Sequence, residues 1–478
     1  MERLSRSIKP LPERPIKVVQ FGEGNFLRAF VDPFFQTLNE KGLFYGNVAV
    51  IQPMPFGRVM DMKDQDGLYT LILEGLENGE VIHESRIIDV ISDFYDPYKD
   101  YKGFLDLATS KDITTVISNT TEAGIAFLAE QINFNSTPVS FPGKLLAFLR
   151  MRFETFAGSK AAGLDIIACE LIDDNGAQLK KILVELARYN QMSETFIQWL
   201  ISANRFYNTL VDRIVPGYPR QDAARLEAEY GYQDHSIVKG EIFHLWVIEG
   251  EKGLNERLPF DLAGLNVYFV DVLKPYKERK VKILNGSHTA MVPVAYLYGI
   301  DTVKEAVSDS IVGKFVKHYI WDEVIPTIDL PKADMDKFAN AVLERYLNPF
   351  VRHELMSIAL NSMSKYKSRI LPSVLERLEH DAFPKLALFS LASLITFYKG
   401  ERNGEPILLQ DEQAFLDLFK SLWATNDINH IVKTVLSLPH WETDRLSQPD
   451  VLTYVTDMVK QISDKGMKQA LEHVLEAL

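Results

Sequence analysis

Six residues rich in β-branched side chains, IKVVQF at 16–21, run directly into two glycines, Gly22 and Gly24, and a helical apolar spacing begins at once. Phe26, Phe30, Phe34 and Leu38 recur at that spacing to about residue 41, and Gly42 supplies the stop. Residues 47–52 (NVAVIQ) then read as a second buried strand. A strand, a tight turn, a helix and a second strand return the chain to the same end of a sheet, so the two strands must lie parallel. The N-terminal half is thereby committed to an α/β architecture.

This opening is that of a Rossmann-type dinucleotide-binding fold. Gly22 is suited to the tight turn and Gly24 to close approach of a pyrophosphate, whose charge a helix N-terminus favours. Leu27 stands where the usual fingerprint has a third glycine, and a helix-capping turn is the alternative reading. An acid that would hold an adenosine ribose at the end of the second strand is absent, because Gln52 and Pro53 are there. Arg58 is near enough in sequence to suggest a 2′-phosphate contact, or else a solvated loop arginine; Asp61 and Asp64 are further candidates.

Additional strands are expected at 114–118, 164–169 and 267–272, with Pro275 just beyond the last. From about 280 onward the pattern turns to helical periodicity, as at 301–320 and 411–424. We therefore expect residues 1–274 to form a Rossmann-type domain and residues 275–478 a mostly α-helical domain carrying substrate and catalysis. The net charge of −13 opposes broad attraction to nucleic acid or anionic lipid, so an anionic substrate needs a local basic pocket. Cys169 is the single cysteine, which removes disulfides and multi-cysteine metal sites. With no apolar signal core and no run of 18 apolar residues, a cytoplasmic protein without membrane partners is expected, its monomeric or homo-oligomeric state left open.

Within KVKILNGSH at 280–288 an amine, an amide and an imidazole fall in nine residues: Lys280, Asn285 and His288. A hydride arriving at a carbonyl carbon leaves charge on oxygen, which calls for a proton donor, a fixed hydrogen-bond donor and an orienting partner. All three roles are represented without a metal. On a helix Asn285 and His288 share a face, while Lys280 lies about 140° away and must use its long stem. The plain alternatives are a solvated cationic face, since Lys274, Lys277, Arg279 and Lys282 surround Lys280, a turn at Asn285-Gly286, and a hydrogen-bonded histidine.

Taken together, FGEGNFLRAF at 21–30, QDGLYTLIL at 65–73, SNTTEAG at 118–124, FYNTLVDRIVPG at 206–217 and KVKILNGSH resemble the polyol-specific long-chain dehydrogenase/reductase family, the mannitol dehydrogenase group. The resemblance implies a metal-independent, NAD-dependent oxidoreductase in which Lys280 is the general acid/base, Asn285 the oxyanion amide and His288 the substrate-orienting residue. It implies a cofactor turn containing Gly22, Gly24, Asn25, Phe26 and Arg28. Asn119, Thr121 and Glu122 would pass near the nicotinamide ribose, and Asp212, in VDR, would also approach the cofactor. The plain alternatives are turn residues and an Asp212–Arg213 ion pair.

Three positions depart from the mannitol-type pattern. Leu171 replaces a second oxyanion asparagine, Lys277 replaces a glutamate three residues before the lysine, and Ser357 replaces an arginine. These turn the expectation from mannitol toward another polyol or a sugar acid. Lys365 matches a substrate-side lysine of the family, and Arg369 follows one turn later, so the pair could grip a carboxylate. Arg352 and His353 are weaker candidates of the same kind.

Overall fold

The computed structural model describes residues 1–121 and 123–478. The chain forms two compact units, residues 1–74 with 81–273, and residues 75–80 with 274–478. The first contains strands β1 (Ile16–Phe21), β2 (Asn47–Ile51), β3 (Tyr69–Glu77), β4 (Glu80–Ile88), β5 (Ile91–Tyr95), β6 (Thr115–Ser118), β7 (Asp165–Ala168), β8 (Arg205–Asp212), β9 (Val238–Glu241), β10 (Leu245–Glu249) and β11 (Val267–Val270), the β3–β4 turn belonging to the second unit. Eight of these make one sheet in the order β11-β10-β8-β7-β6-β1-β2-β5. Strand β4, β3 and β9 make a second, three-stranded sheet.

The run from β5 to β8 is parallel throughout, with Val19 opposite Ala49 on one side and Val116 on the other. Such a sheet is covered on both faces, which is why its strands are continuously apolar. One face packs on the helices Phe141–Thr155, Asn175–Tyr189 and Glu194–Ala203; the other packs on α1 (Asn25–Glu40) and on Trp246 and Phe260. The α/β Rossmann architecture expected from the sequence is present. Strand β1 sits between β2 and β6, so the chain reverses direction across the sheet at the carboxyl end of β1. That is the crevice where parallel sheets bind ligands.

Helix α1 carries Pro33 in its interior, and proline has no N–H with which to bond the carbonyl of Ala29. A buried arginine fills the gap. Arg213, at the end of β8, donates Nη1 to Ala29 O at 2.6 Å, while Nε reaches Phe243 O and Nη2 reaches Ile242 O, both at 3.1 Å. Full burial lowers its pKa to about 9, which still leaves it charged at neutral pH.

The second unit is almost wholly helical, its extended structure being confined to the hairpin tip and a two-residue ladder at 401–406 among the described residues. Its centre is the helix Lys385–Phe397, buried at every position after the first. Two of its N-terminal amides, Leu386 and Ala387, are met by the carboxylate of Glu323 at 2.7 and 2.8 Å. The periodic stretch 301–320 is not one helix. Thr302 and Glu305 form a capping box for Val303–Ser308, the chain breaks at Asp309, and Val312–His318 follows. No helix among the described residues is long and apolar enough to cross a membrane.

Replacing Arg213 with methionine should cost about 3 kcal/mol or more, since a buried acceptor left unsatisfied costs about 1–3 kcal/mol and three are exposed to that fate. Urea denaturation followed by tryptophan fluorescence checks it; a loss below about 1 kcal/mol would show that Ala29, Ile242 and Phe243 find other donors.

Candidate active site

In the first unit the glycine turn is built as its residue types require. Gly22 has φ +123°, and a Cβ there would lie 2.8 Å from the carbonyl oxygen of Asn119. Only glycine fits. Gly24 differs: its backbone is ordinary, a Cβ would meet nothing within 4 Å, and as the N-cap of α1 it offers no side-chain bond to the first-turn amides. Open space beside uncapped amides is the arrangement a pyrophosphate needs, so the residues fit a dinucleotide.

Of the other residues of that turn, Asn25 is exposed while Phe26 and Arg28 turn inward. Arg28 is buried and donates to Ser236 O at 2.5 Å and to Asn25 Oδ1 at 2.6 Å, burial lowering its pKa. Phe26 is partly buried and stacks on Phe30 at 4.9 Å. Asn119 lies just past β6, its amide nitrogen bonded to Phe21 O and its side chain to Cys169 O at 2.6 Å. Thr121 is exposed, and Glu122 lies outside the described residues. Glu170, which no sequence signal singled out, fixes this segment. Its carboxylate accepts from Ser118 Oγ, Thr120 N and Thr120 Oγ1 at 3.0–3.1 Å, and burial raises its pKa. Asp212 is buried at the end of β8, where the neighbouring Arg213 guanidinium is occupied by carbonyls.

In the second unit the helix Lys274–Arg279 passes into a π-helical turn, Lys280–Asn285, and then into the helix Gly286–Tyr298. Hydrogen bonds in the middle segment run from i to i+5, so residues five apart lie nearer one face than they would in an α-helix. Lys280 and Asn285 are five apart, and His288 follows by three. All three are partly buried. The basic stretch around them is solvated only in part: Lys274 is exposed, but Arg279 is only 2% exposed, over the Tyr276 and Phe338 rings, and Lys282 is only 8% exposed, donating to Thr327 O at 2.6 Å.

The irregular turn is held by two hydroxyls. Tyr346 Oη lies 2.7 Å from both Leu284 O and Ser287 Oγ, and Ser287 Oγ also reaches Ile283 O. Gly286 completes the packing, since a Cβ there would stand 3.2 Å from Arg369 O and 3.3 Å from Tyr319 Oη.

His288 stacks against the Tyr346 ring at 4.3 Å and meets His353 edge-on at 5.1 Å. Its Nε2 is buried without a hydrogen-bond partner. Burial, then the positive fields of His353, Arg345, Arg369 and Lys365, hold its pKa well below the usual range, so the ring is neutral. Lys365 is depressed by burial and then by Arg369, and burial also lowers Arg369 and His353. Arg369 Nη1 donates to Thr289 Oγ1 at 3.2 Å, and Lys365 Nζ to Ile358 O at 2.8 Å. The structure thus gathers Lys365, Arg369 and His353 about His288, whereas Arg352 is exposed and paired with Glu354. Arg345 and Tyr346 were missed by sequence reasoning; they lie more than fifty residues away with no local signature.

A Rossmann sheet with a pyrophosphate turn, joined in one chain to a helical unit of this kind, is the architecture of a dehydrogenase acting on a CH–OH group, and comparison with known proteins agrees. Residues 16–262 match the mannitol dehydrogenase Rossmann domain and residues 272–471 the mannitol dehydrogenase C-terminal domain. The chain belongs to the mannitol dehydrogenase family. It is 44% identical to an altronate oxidoreductase of Klebsiella pneumoniae (strain 342) over 99% of both chains, and 43% identical to one of Escherichia coli O7:K1 over 98% of this chain and 99% of the relative. In fold it resembles a substrate-free D-sorbitol dehydrogenase (TM-score 0.82, 24% identity, 98% of this chain and 100% of the other). It also resembles the mannitol 2-dehydrogenase of Pseudomonas fluorescens, solved with NAD and D-mannitol (TM-score 0.65, 22% identity, both chains covered fully).

Removing the Tyr346 hydroxyl, Tyr346→Phe, keeps the ring against His288 but strips a donor from the π turn. We expect a loss of about 1–2 kcal/mol in thermal unfolding and faster amide hydrogen exchange confined to residues 284–289. Unchanged exchange there would mean that the turn does not depend on Tyr346.

Proposed function

We propose that this protein interconverts D-altronate and its keto form, D-tagaturonate, with NAD as the hydride carrier and without a metal, in hexuronate breakdown. The observation that carries the reading is the buried, unpartnered Nε2 of His288 amid Lys365, Arg369, Arg345 and His353. A neutral hydrogen-bonding ring surrounded by cations suits a polyhydroxy substrate that bears a carboxylate. A hexitol such as mannitol has no charge to offset that field. The altronate oxidoreductases at 43–44% identity support the same substrate.

Gly22, Gly24 and the first-turn amides of α1 would hold the cofactor's pyrophosphate, with Asn25, Phe26 and Arg28 shaping the turn. Asn119, Thr121, Glu122 and Asp212 would line the nicotinamide side. When bound, NADH supplies the hydride for the ketone carbon. Lys280, as the ammonium ion, gives its proton to the oxygen as the carbonyl becomes an alkoxide, and takes it back in the oxidation direction. Asn285 donates its amide hydrogen to the same oxygen, stabilising the charge where it develops. His288 hydrogen-bonds a neighbouring hydroxyl, and Lys365 with Arg369 grips the carboxylate.

A panel of altronate, mannonate and mannitol with NAD and NADP tests the substrate: oxidation of mannitol or mannonate with altronate ignored would overturn it. Lys280→Ala should lower kcat by about 10²- to 10⁴-fold, the usual worth of a general acid/base, while NADH binding persists. Equal turnover in that variant would remove Lys280 from the mechanism, and NADH binding with no turnover of any polyol would point to a sensor. The Lys365 charge supports carboxylate binding only while the lysine is protonated. Because burial and Arg369 lower its pKa, KM for altronate should climb with rising pH earlier than an ordinary lysine would titrate, and Lys365→Met should abolish that climb.

A further inference from the structure

The end of β2 poses a problem that the pyrophosphate turn does not solve. A fold of this type selects NAD by an acid there that bonds the adenosine ribose, or accommodates NADP with an arginine. Gln52 occupies the position, is buried, and turns its amide back to Met54 O at 3.0 Å. It presents neither charge.

A carboxylate reaches the same spot from a different strand end. Glu23, the residue between the two glycines, accepts from Arg58 N at 3.3 Å through Oε1. A Cβ added to Gly57 would collide with that oxygen and lie 2.5 Å from Gln52 Cδ, so the carboxylate, Gly57 and Gln52 form one packed group at the tip of β2. The side chain of Arg58 is committed elsewhere, Nε to Asp61 Oδ2 at 3.0 Å and Nη2 to His235 O at 3.1 Å. A 2′-phosphate placed here would meet the Glu23 carboxylate directly, and the Arg58 guanidinium is already paired with Asp61. Burial raises the Glu23 pKa, while the Arg28 field opposes that rise and the weaker Asp96 field adds to it. The loop that follows carries Met54, 59% exposed, and Phe56, 92% exposed, apolar surface suited to the face of an adenine ring.

We infer that Glu23 is the cofactor-specificity residue, its carboxylate taking the role that the end of β2 has lost, accepting the adenosine 2′-hydroxyl and rejecting a 2′-phosphate. The inference rests on the nicotinamide cofactor of the proposed function. A half-buried carboxylate next to a dianion is a strong discriminator, because like charges brought together out of water are costly to both.

Equilibrium binding of NADH and NADPH to the full chain, followed by fluorescence in the absence of substrate, tests it. The unaltered protein should bind NADH more tightly, and both Glu23→Gln and Glu23→Ser should narrow the NADPH-to-NADH ratio of Kd values by about tenfold, equivalent to about 1.4 kcal/mol. The same narrowing should appear with ADP against adenosine 2′,5′-bisphosphate, which carry no nicotinamide, and thermal unfolding should report folded variants. An NADH preference that survives both substitutions would overturn the role of Glu23 and leave the proposed function standing. A preference for NADPH would overturn Glu23 and the NAD assignment together. Failure of the unaltered protein to bind either nicotinamide would remove the proposed function and this inference with it.

Discussion

A buried carbonyl oxygen must be met by a donor, and much of this structure is arranged around carbonyls that regular hydrogen bonding leaves over. Pro33 frees Ala29 O inside α1, and Arg213 meets it. The turn at 108–113 and the helical turn ending at Ala162 leave Ala108 O, Ser110 O, Ile113 O and Ala162 O, and the single guanidinium of Arg152 meets all four at 2.6–3.1 Å. The π turn is handled by Tyr346 and Ser287, and Thr327 O by Lys282. Most of these donors are cations with little exposure, so their charge is costly to bury. The cost is offset because several acceptors are satisfied at once.

Charge is used in opposite ways in the two units. The glycine turn of the first presents backbone amides at a helix start, with Arg28 buried and directed inward. The helical unit instead gathers side-chain cations about a neutral imidazole. In a chain of net charge −13 such a local positive field runs against the overall sign. Burial lowers the pKa of both Lys365 and Arg369, and Arg369 lowers that of Lys365 further, so these cations are held at an electrostatic cost.

The parts legible in the sequence were those with a strong local period or a residue that permits one geometry. Strand β1, the Gly22 turn, α1 and β2 fell within a residue of their expected places because β-branched clustering, glycine and 3.6-residue spacing agree there. Strands β3 and β4 escaped the periodicity reading, although Asn78-Gly79, both at positive φ, is the ordinary signature of a tight hairpin. The stretch 301–320 kept helical spacing across a break because Thr302, Asp309 and Ile311 carry no strong stop signal between them. Tyr346 and Arg345 could not be found from sequence, and His353 only as a weaker candidate, since they come to His288 only through the packing of separate parts of the chain. Arg279 and Lys282 misled for the converse reason, charged residues whose partners are supplied by distant chain.

The π turn is the point where local irregularity and chemistry coincide. In a continuous α-helix Lys280 and Asn285 would point about 140° apart. Bonding from i to i+5 narrows that separation without changing a residue. The wider turn weakens the local ladder, and it persists because Tyr346 and Ser287 hold its carbonyls while Gly286 admits the backbone at Arg369. The same Tyr346 ring stacks on His288, and Arg369 holds Thr289, whose hydroxyl bonds Asn285 O at 2.9 Å. The residues that stabilise the irregular turn are therefore the ones that surround the histidine, so the π turn and the cationic setting of His288 are consequences of one packing arrangement.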